Sequence, residues 1–342
     1  MHEHLSTLPF LGDTTSNQAL IYSPAFSSPN ITDPTYPNYA LPAANLSFPT
    51  APSSSPNFTL IFANSSQSIS SLPQTACALR SMRRSGTVLE EQLWLRDTDG
   101  WRTEWLLGGL SPSTNYTVYT IQDDTKISGP IYIATKSASF SCPLVHSLPY
   151  CPSVSFAAPL SAPAFPKNAH DSTTLPSSLT DPLLSYVTNF TTSLLTFACG
   201  RDFYSPLQSC ADCQRGYRKW LCTISFPRCA EFPSNVTTST TDDGAQRVFP
   251  ALLPQASGTP PRNPSLGNLT TSFAQLLPCI ETCTATDRAC PNFLGFKCPV
   301  VAFNANESYG VGYIDNGRPG IEGGGLTGVA QDRWGNVYCN GS

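Results

Sequence analysis

The chain has 342 residues, a length that allows two domains of ordinary size. Only 12% of its residues are charged, its net charge is -4, and 32 residues are prolines. This low charge predicts a surface that is polar mainly through uncharged side chains. An acidic chain also lacks the basic patch needed to release counterions from phosphates, so nucleic acid is excluded as an expected partner.

Two features predict passage through the secretory pathway. The sequence has 13 cysteines, and ten of them lie between Cys199 and Cys339, a density typical of disulfide-stabilised proteins from oxidising compartments. It also has ten Asn-x-Ser/Thr acceptors, which are glycosylated only in the secretory lumen. The predicted glycosylation sites are Asn30, Asn45, Asn57, Asn64, Asn115, Asn189, Asn235, Asn268, Asn306 and Asn340.

The start of the sequence does not resemble a signal peptide. Residues 1–5 have no basic region, and no apolar core follows them. We therefore expect the sequence to begin after a cleaved leader or to lack its first coding segment. No stretch approaches the ~18 apolar residues of a membrane helix, so any membrane attachment is expected to come only through a partner.

The N-terminal half divides into two parts by composition. Residues 1–57 are rich in Pro, Ser and Asn, which predicts an extended, glycosylated segment. Short apolar runs then follow at 59–63, 91–95 and 101–107, and an Asp-Gly turn joins the last two. These runs are typical of β-strands.

Residues 110–118 carry the pattern Leu-x-Pro-x-Thr-x-Tyr-x-Val. This pattern, followed by a strand that ends in Thr135, resembles the late strands of a fibronectin type III sandwich. The resemblance implies that Tyr116 packs at a corner with its hydroxyl on the backbone. We predict a β-sandwich-like domain over residues 58–136.

A Pro-rich connector is predicted over residues 137–182. It contains Cys142 and Cys151, which we expect to form a local disulfide. Cys77 has no obvious companion in the sequence. The odd total implies one free thiol, an intermolecular disulfide, or a partner outside this sequence.

Residues 183–342 are predicted to form a mainly helical, cysteine-rich module. Apolar positions at helical spacing from Leu184 to Phe197 indicate a helix capped near Gly200. Further helices are predicted over Cys213–Cys222 and Phe273–Cys283. Residues 233–268, which contain two glycosylation acceptors, are predicted to be a solvent-exposed loop insertion.

Ten cysteines in this module can form five disulfides with none left over. Cys210-x2-Cys213 and Cys279-x3-Cys283 also have the spacing of zinc ligands, so a zinc site is the alternative. Disulfides are favoured because thiolate zinc sites are expected in reducing compartments. The predicted disulfide cysteines are Cys142, Cys151, Cys199, Cys210, Cys213, Cys222, Cys229, Cys279, Cys283, Cys290, Cys298 and Cys339.

No catalytic pattern is present in the sequence. There are only four histidines, no Gly-x-Ser-x-Gly elbow, and no Lys-Ser/Thr after the glycine-rich run at 321–328. The acidic turn at 97–100 has its glycine too early for an EF-hand. We predict that the protein is not an enzyme and has no catalytic residues, metal site or cofactor.

The segment Cys210–Cys229 (CADCQRGYRKWLCTISFPRC) resembles the cysteine-rich signature of the fungal stretch-activated calcium-channel regulatory subunits, the mating-induced-death family. Residues 8–13, 142–151 and 332–341 also resemble that family, in the same order. The Leu-Cys-x4-Pro-x-Cys ending at Cys229 is similar to frizzled-type domains and to the animal auxiliary factor of the sodium-leak channel. This similarity implies a helical, frizzled-like module. Together with the β-sandwich-like region, it gives the predicted fold class, α+β multidomain.

The resemblance also implies a function. Members of that family are non-pore subunits outside the membrane that support a four-repeat, voltage-gated-like calcium channel. We therefore expect the pore-forming subunit as partner, reached through the secretory pathway at the extracellular face of the plasma membrane. The alternative is a secreted cell-wall or adhesion glycoprotein with a frizzled-like ligand-binding domain.

The candidate partner-binding residues lie between Cys213 and Cys222, where disulfides restrain the backbone. They are Tyr217, Arg218, Lys219 and Trp220. Aromatic and cationic side chains dominate binding energy at protein interfaces. Arg218 and Lys219 are expected to be exposed contacts, whereas Trp220 is expected to be core more than interface.

Overall fold

The computed structural model describes residues 3–4, 7–28, 36–46, 51–66, 75–81, 84–97, 100–231, 251–267, 269, 271–300, 305, 308–310 and 339–341. Over these residues the fold is mixed α/β, as predicted. The strands are β1 (Glu3–His4), β2 (Phe10–Thr14), β3 (Ala19–Tyr22), β4 (Phe58–Asn64), β5 (Thr87–Asp97), β6 (Gly100–Gly108), β7 (Asn115–Gln122), β8 (Lys126–Ala134), β9 (Leu144–Val145), β10 (Phe156–Ala157), β11 (Arg228–Ala230), β12 (Leu252–Gln255) and β13 (Phe273–Leu276). The helices are α1 (Ala76–Arg80), α2 (Ser177–Leu194), α3 (Cys210–Ser225) and α4 (Ile280–Ala289), followed by a 3-10 turn at Asn292–Leu294.

Two four-stranded sheets pack face to face in the N-terminal half. Their strand orders are β1-β8-β7-β4 and β2-β3-β6-β5. Side chains alternate between the faces of each strand: Phe58, Leu60 and Phe62 of β4 lie in the core between the sheets, whereas Ile61 and Ala63 face outward under α1. The predicted strands between residues 58 and 136 are thus confirmed.

Tyr116 occupies the corner position that the sequence pattern predicts. Its ring is 2% exposed and stacks on Phe62 with centroids 4.7 Å apart. Its hydroxyl accepts a hydrogen bond from the Ser111 N–H at 2.8 Å. This contact ties the loop before β7 to the end of the core.

Removing that hydroxyl should weaken the sandwich measurably. We expect Tyr116→Phe to lower the free energy of unfolding by about 1 kcal/mol, because the Ser111 N–H loses its acceptor while the ring stays packed. Tyr132→Phe, on a β8 ring that is 38% exposed, is the matched control and should change it less. Urea unfolding followed by fluorescence measures both, and equal effects would contradict the corner role.

The prediction of an extended segment over residues 1–57 is wrong for residues 10–22. Strands β2 and β3 complete the second sheet, where Ala19 lies opposite Leu107 of β6. All four residues of β3 are buried, because the sandwich core covers one face and the connector covers the other. A strand buried on both faces shows no alternation of apolar and polar residues.

The predicted connector, residues 137–182, is also folded rather than a linker. Strands β9 and β10 pair antiparallel, and Leu144 and Ala157 pack on the outer face of the second sheet. Helix α2 begins at Ser177, inside the predicted connector, and carries Pro182 within it. The predicted boundary at residue 183 is therefore wrong.

The cysteine-rich half is less helical than predicted. Residues 273–276 form strand β13 in a three-stranded sheet of order β11-β13-β12, so the predicted helix over Phe273–Cys283 is wrong in its first part. Strand β12 belongs to the predicted loop insertion 233–268, and Leu266 of that stretch is 3% exposed. Residues 233–250 and 268 of the insertion lie outside the described part of the chain.

Six disulfides join the twelve predicted cysteines. The pairs are Cys142–Cys229, Cys151–Cys222, Cys199–Cys210, Cys213–Cys290, Cys279–Cys339 and Cys283–Cys298. Both zinc-like spacings are split between different disulfides. Cys77, at α1, is free and exposed.

The expected local disulfide between Cys142 and Cys151 is wrong, and so is the expectation of five disulfides within the module alone. Cys142 packs with Cys229 on the outer face of the second sheet, whereas Cys151 packs with Cys222 between the connector and α3. The two cysteines lie in different hydrophobic clusters. Each instead fastens the connector to the cysteine-rich half.

The predicted glycosylation sites differ in exposure. Asn45, Asn57, Asn115 and Asn189 are exposed and Asn64 is half-buried, whereas Asn30, Asn235, Asn268 and Asn306 lie outside the described residues. Asn340 is 1% exposed, and its backbone bonds to Leu277 and Cys279. Glycosylation of Asn340 stays a prediction, and the amide nitrogen that would carry the sugar is buried in this fold.

Candidate partner-binding surface

Helix α3 is held in place at several points. Cys210 and Cys213 near its start and Cys222 in its last turns are all in disulfides. A capping box begins the helix, because the Asp212 carboxylate accepts from the Ser209 N–H at 2.8 Å while the Ser209 hydroxyl accepts from the Asp212 N–H. The side chains of α3 are therefore presented on a restrained backbone.

A groove of about 480 Å³ lies along α2 and α3. Each helix contributes positions three or four residues apart, which share one helical face. The lining residues are Leu179, Pro182, Leu183 and Tyr186 from α2, Tyr217, Trp220, Leu221, Thr223, Ile224 and Ser225 from α3, and Pro227, Gln275, Pro278 and residues 262–265 and 308–309. The groove is thus largely apolar and aromatic.

Two of the four predicted contact residues line this groove. Tyr217 is half-buried, and its ring stacks on Phe190 with centroids 3.7 Å apart. Trp220 is also half-buried, and its indole N–H donates to the Tyr309 hydroxyl at 3.0 Å. Trp220 therefore packs against the core of the module and forms part of the groove wall at once.

Arg218 is buried rather than exposed, so this part of the prediction is wrong. It is 6% exposed, and its guanidinium donates to the carbonyl oxygens of Ala44 (2.5 Å), Ala43 (2.9 Å) and Tyr150 (3.3 Å). Burial lowers the pKa of Arg218 to about 10, so the group stays charged at neutral pH. Its role is to tie residues 43–44 and the connector to α3.

Lys219 is the exposed cation of the predicted pair. It follows Arg218 by one residue, which turns its side chain about 100° around the helix, away from the buried face. The four predicted residues thus separate into two groove residues, one buried anchor and one surface cation.

The sequence model of a family described as "Stretch-activated Ca²⁺-permeable channel component" matches residues 1–321. The chain belongs to this family. The predicted family resemblance is thereby confirmed, and the chain is related to components of a calcium-permeable channel.

Three relatives are similar to this member of the family. The stretch-activated cation channel MID1 of Cryptococcus neoformans is 38% identical over the whole of this chain. The stretch-activated cation channel yam8 of Schizosaccharomyces pombe is 27% identical over 71% of it, and MID1 of Saccharomyces cerevisiae is 25% identical over 69%. The chain spans 60%, 46% and 42% of the lengths of these relatives.

Two further observations bear on the kind of site that this chain offers. None of the helices in the described residues is long and apolar enough to cross a membrane. Within the same residues, the one group close enough to hold a metal consists of Cys279, Glu281 and Cys339, and its two cysteines are joined in a disulfide.

A buried ionic network, which the sequence analysis missed, joins the sandwich to the groove-bearing half. The Asp13 carboxylate accepts from Lys136 Nζ at 2.7 Å, Arg228 Nε at 2.9 Å and the Ala157 N–H at 3.2 Å. The side chains of Asp13, Lys136 and Arg228 are 7%, 15% and 9% exposed, respectively. Their positions are 123 and 215 residues from Asp13, so no local sequence pattern could have linked them.

Burial tends to raise the pKa of Asp13, but the nearby charges of Arg228 and Lys136 outweigh it and hold the pKa below its usual range. The carboxylate is therefore ionised and paired at neutral pH. The Cys142–Cys229 disulfide lies beside this network, one residue from Arg228. Together they fix the cysteine-rich half against the sandwich.

Proposed function

We propose that this chain is the extracellular, non-pore subunit of a fungal high-affinity, stretch- or stress-activated calcium channel. It supports calcium entry by binding the pore-forming subunit, a voltage-gated-like channel. It has no catalytic activity, and the ion passes through the pore of the partner. The observation that carries this proposal is the family match over residues 1–321.

The location proposed is the extracellular face of the plasma membrane, reached through the secretory pathway. Six disulfides fit an extracellular or secreted protein, because such bonds persist in oxidising compartments. Four glycosylation acceptors are exposed in the fold: Asn45, Asn57, Asn115 and Asn189. Glycosylation at these positions is part of the proposal.

The groove between α2 and α3 is the proposed contact with the pore-forming subunit. Its walls carry aromatic side chains, which are enriched among the residues that dominate binding energy. The disulfides on α3 hold the α3 wall in place before binding, so little conformational entropy is lost there on association. Tyr186 is 58% exposed and is the one large hydrophobic side chain of the described lining that is exposed to solvent.

Replacing Tyr186 tests this proposal. We expect Tyr186→Ala to weaken association with the pore-forming subunit by about 10- to 100-fold, the range for an interface anchor. Stress-evoked calcium uptake should fall accordingly in cells that carry only this variant. Co-purification from membranes and calcium influx measure the two effects.

Thr188→Ala is the matched control, because Thr188 is exposed on α2 but lies outside the groove. It should associate and restore uptake like the wild type. If Tyr186→Ala also behaves like the wild type, the groove is not the contact. If the wild-type chain recovers wall polysaccharide and no multi-pass channel, the cell-wall glycoprotein alternative replaces the channel function.

A further inference from the structure

Gln275 places a side-chain amide at the groove between α2 and α3. The residue lies in β13, the central strand of its sheet, where it pairs with Cys229 of β11 and Leu253 of β12. It is 6% exposed and belongs to the groove lining. Because β13 is bonded to a strand on each side, the position of Gln275 at the groove is fixed before any partner binds.

Other polar side chains of the lining are bonded within the protein. The Asn263 amide is used at both ends, since its Nδ2 donates to the Ser225 carbonyl and its Oδ1 accepts from the Ser265 N–H, each at 3.0 Å. The Thr223 hydroxyl donates to the Lys219 carbonyl at 2.8 Å. These groups have no need of a bound partner.

The side-chain amide of Gln275 differs from them. It has no hydrogen bond to any residue in the part of the chain that the structure describes. Buried polar groups are nearly always hydrogen-bonded, because an unpaired donor or acceptor that has lost its water costs free energy. An unpaired amide at a groove therefore indicates that a bound molecule supplies the missing partner.

We propose that Gln275 recognises the main chain of an extended peptide segment of the pore-forming subunit. A primary amide carries a carbonyl acceptor and an N–H donor, and so it can pair with the N–H and the C=O of a peptide main chain. The interior of a helix uses these groups for its own hydrogen bonds, whereas an extended segment leaves them free. A hydrocarbon chain offers neither group.

The inference rests on the proposed function, which assigns the groove to the pore-forming subunit, and adds the chemistry of the bound segment. Within the described lining, Arg262 is the one charged side chain. A segment that is apolar and lacks cationic residues is therefore the complementary one. Tyr186 and the other apolar lining residues contact its side chains, and Gln275 fixes its register.

Two glutamine-to-leucine substitutions test this role through opposite effects on stability. Gln275→Leu should raise the Tm of the secreted protein by about 2 °C, because it removes a buried polar group that has no partner. The matched control is Gln214→Leu, at a residue that is 2% exposed. Gln214 Nε2 donates to the Pro42 carbonyl at 2.7 Å and to the Thr191 hydroxyl at 2.8 Å, so this substitution should lower the Tm.

The same Gln275→Leu protein should bind the pore-forming subunit at least about tenfold more weakly, because a peptide group of the partner loses its hydrogen bonds. Co-purification from membranes at graded concentrations of the secreted chain measures this loss. A more stable protein that binds less well is the result expected of a recognition residue, and a purely structural role would not produce it.

The proposal is overturned if Gln275→Leu lowers the Tm, which would make the amide part of the fold. It is also overturned if Gln275→Leu binds like the wild type while Tyr186→Ala binds weakly, and that result leaves the proposed function standing. If the wild-type chain does not co-purify the pore-forming subunit at all, the proposed function and this inference fail together.

Discussion

Replacing Asp13 by Asn is expected to lower the free energy of unfolding by about 3–5 kcal/mol at neutral pH. The substitution keeps the size of the side chain but removes its charge, and so leaves Arg228 and Lys136 as two cations in a buried site. Removing one partner of a buried ionic group costs this much because the remaining charge has lost its compensation. The substitution creates an Asn-Thr-Thr glycosylation acceptor at 13–15. Both proteins are therefore produced in the bacterial periplasm, where disulfides form without this modification, and urea unfolding at pH 7 measures the difference.

The pH dependence of this effect follows from the pKa of Asp13. The neighbouring cations hold that pKa below the unfolded value of about 3.9. The stability that ionised Asp13 contributes is therefore fully present above about pH 4 and is lost as the pH falls through the lower folded-state pKa. The difference between wild type and Asp13→Asn should shrink on acidification below that point.

Asp181→Asn provides the control, because Asp181 is exposed on α2. It should change the free energy of unfolding by no more than about 0.5 kcal/mol. A loss below about 1 kcal/mol for Asp13→Asn at pH 7 would show that the network does not hold the two halves together. Since the groove lies on one side of this junction, its position relative to the sandwich depends on the same contacts.

The sequence predicted the strands between residues 58 and 136 from short apolar runs, such as residues 59–63 of β4, and from the Asp-Gly turn between two of them. It failed for β3, whose four buried residues face the sandwich core on one side and the connector on the other. The connector itself was mistaken for a linker because its prolines suggested an irregular chain. The fold of the connector is decided by the hydrophobic clusters in which its side chains are buried, and not by its local composition.

Disulfide pairing could not be predicted from spacing. Cys142 and Cys151 are nine residues apart in sequence, yet their partners are 87 and 71 residues away. Which cysteines meet depends on how β9, β10 and α3 pack, and that packing is set by long-range contacts. That these twelve cysteines form disulfides was predictable from composition, whereas their connectivity required the fold.

The sequence did contain a pattern that indicates burial of Arg218, but the charge of this side chain argued for exposure. Ala211, Gln214, Arg218 and Leu221 are spaced three or four residues apart, and all four are buried on α3. Gln214 and Arg218 both bond to the 42–44 segment, where Gln214 Nε2 donates to the Pro42 carbonyl at 2.7 Å. Helical periodicity alone would have placed all four residues on one buried face. Gln214 and Arg218, however, are polar residue types that are usually exposed.

We expect Arg218→Glu to abolish secretion of a folded chain. The change removes three hydrogen bonds to the carbonyls of Ala43, Ala44 and Tyr150 and places a carboxylate beside those oxygens. Hydrogen bonds from a charged group contribute about 1.5–3 kcal/mol each, and a buried charge without a partner adds a further cost. The loss should be at least about 3 kcal/mol, a large share of the stability of a typical domain.

Lys219→Glu is the matched comparison, since it reverses a charge on the next residue of the same helix at an exposed position. It should be secreted like the wild type, with a change in unfolding free energy of no more than about 0.5 kcal/mol. Secreted yield and thermal unfolding of the two single variants therefore separate folding from binding.

A double reversal of Arg218 and Lys219 would lose channel association through misfolding alone, so only the Lys219 variant can report on a surface contact. If Arg218→Glu is secreted and unfolds like the wild type, the anchoring of residues 43–44 to α3 is not needed for the fold, and the residue becomes available again as a partner contact.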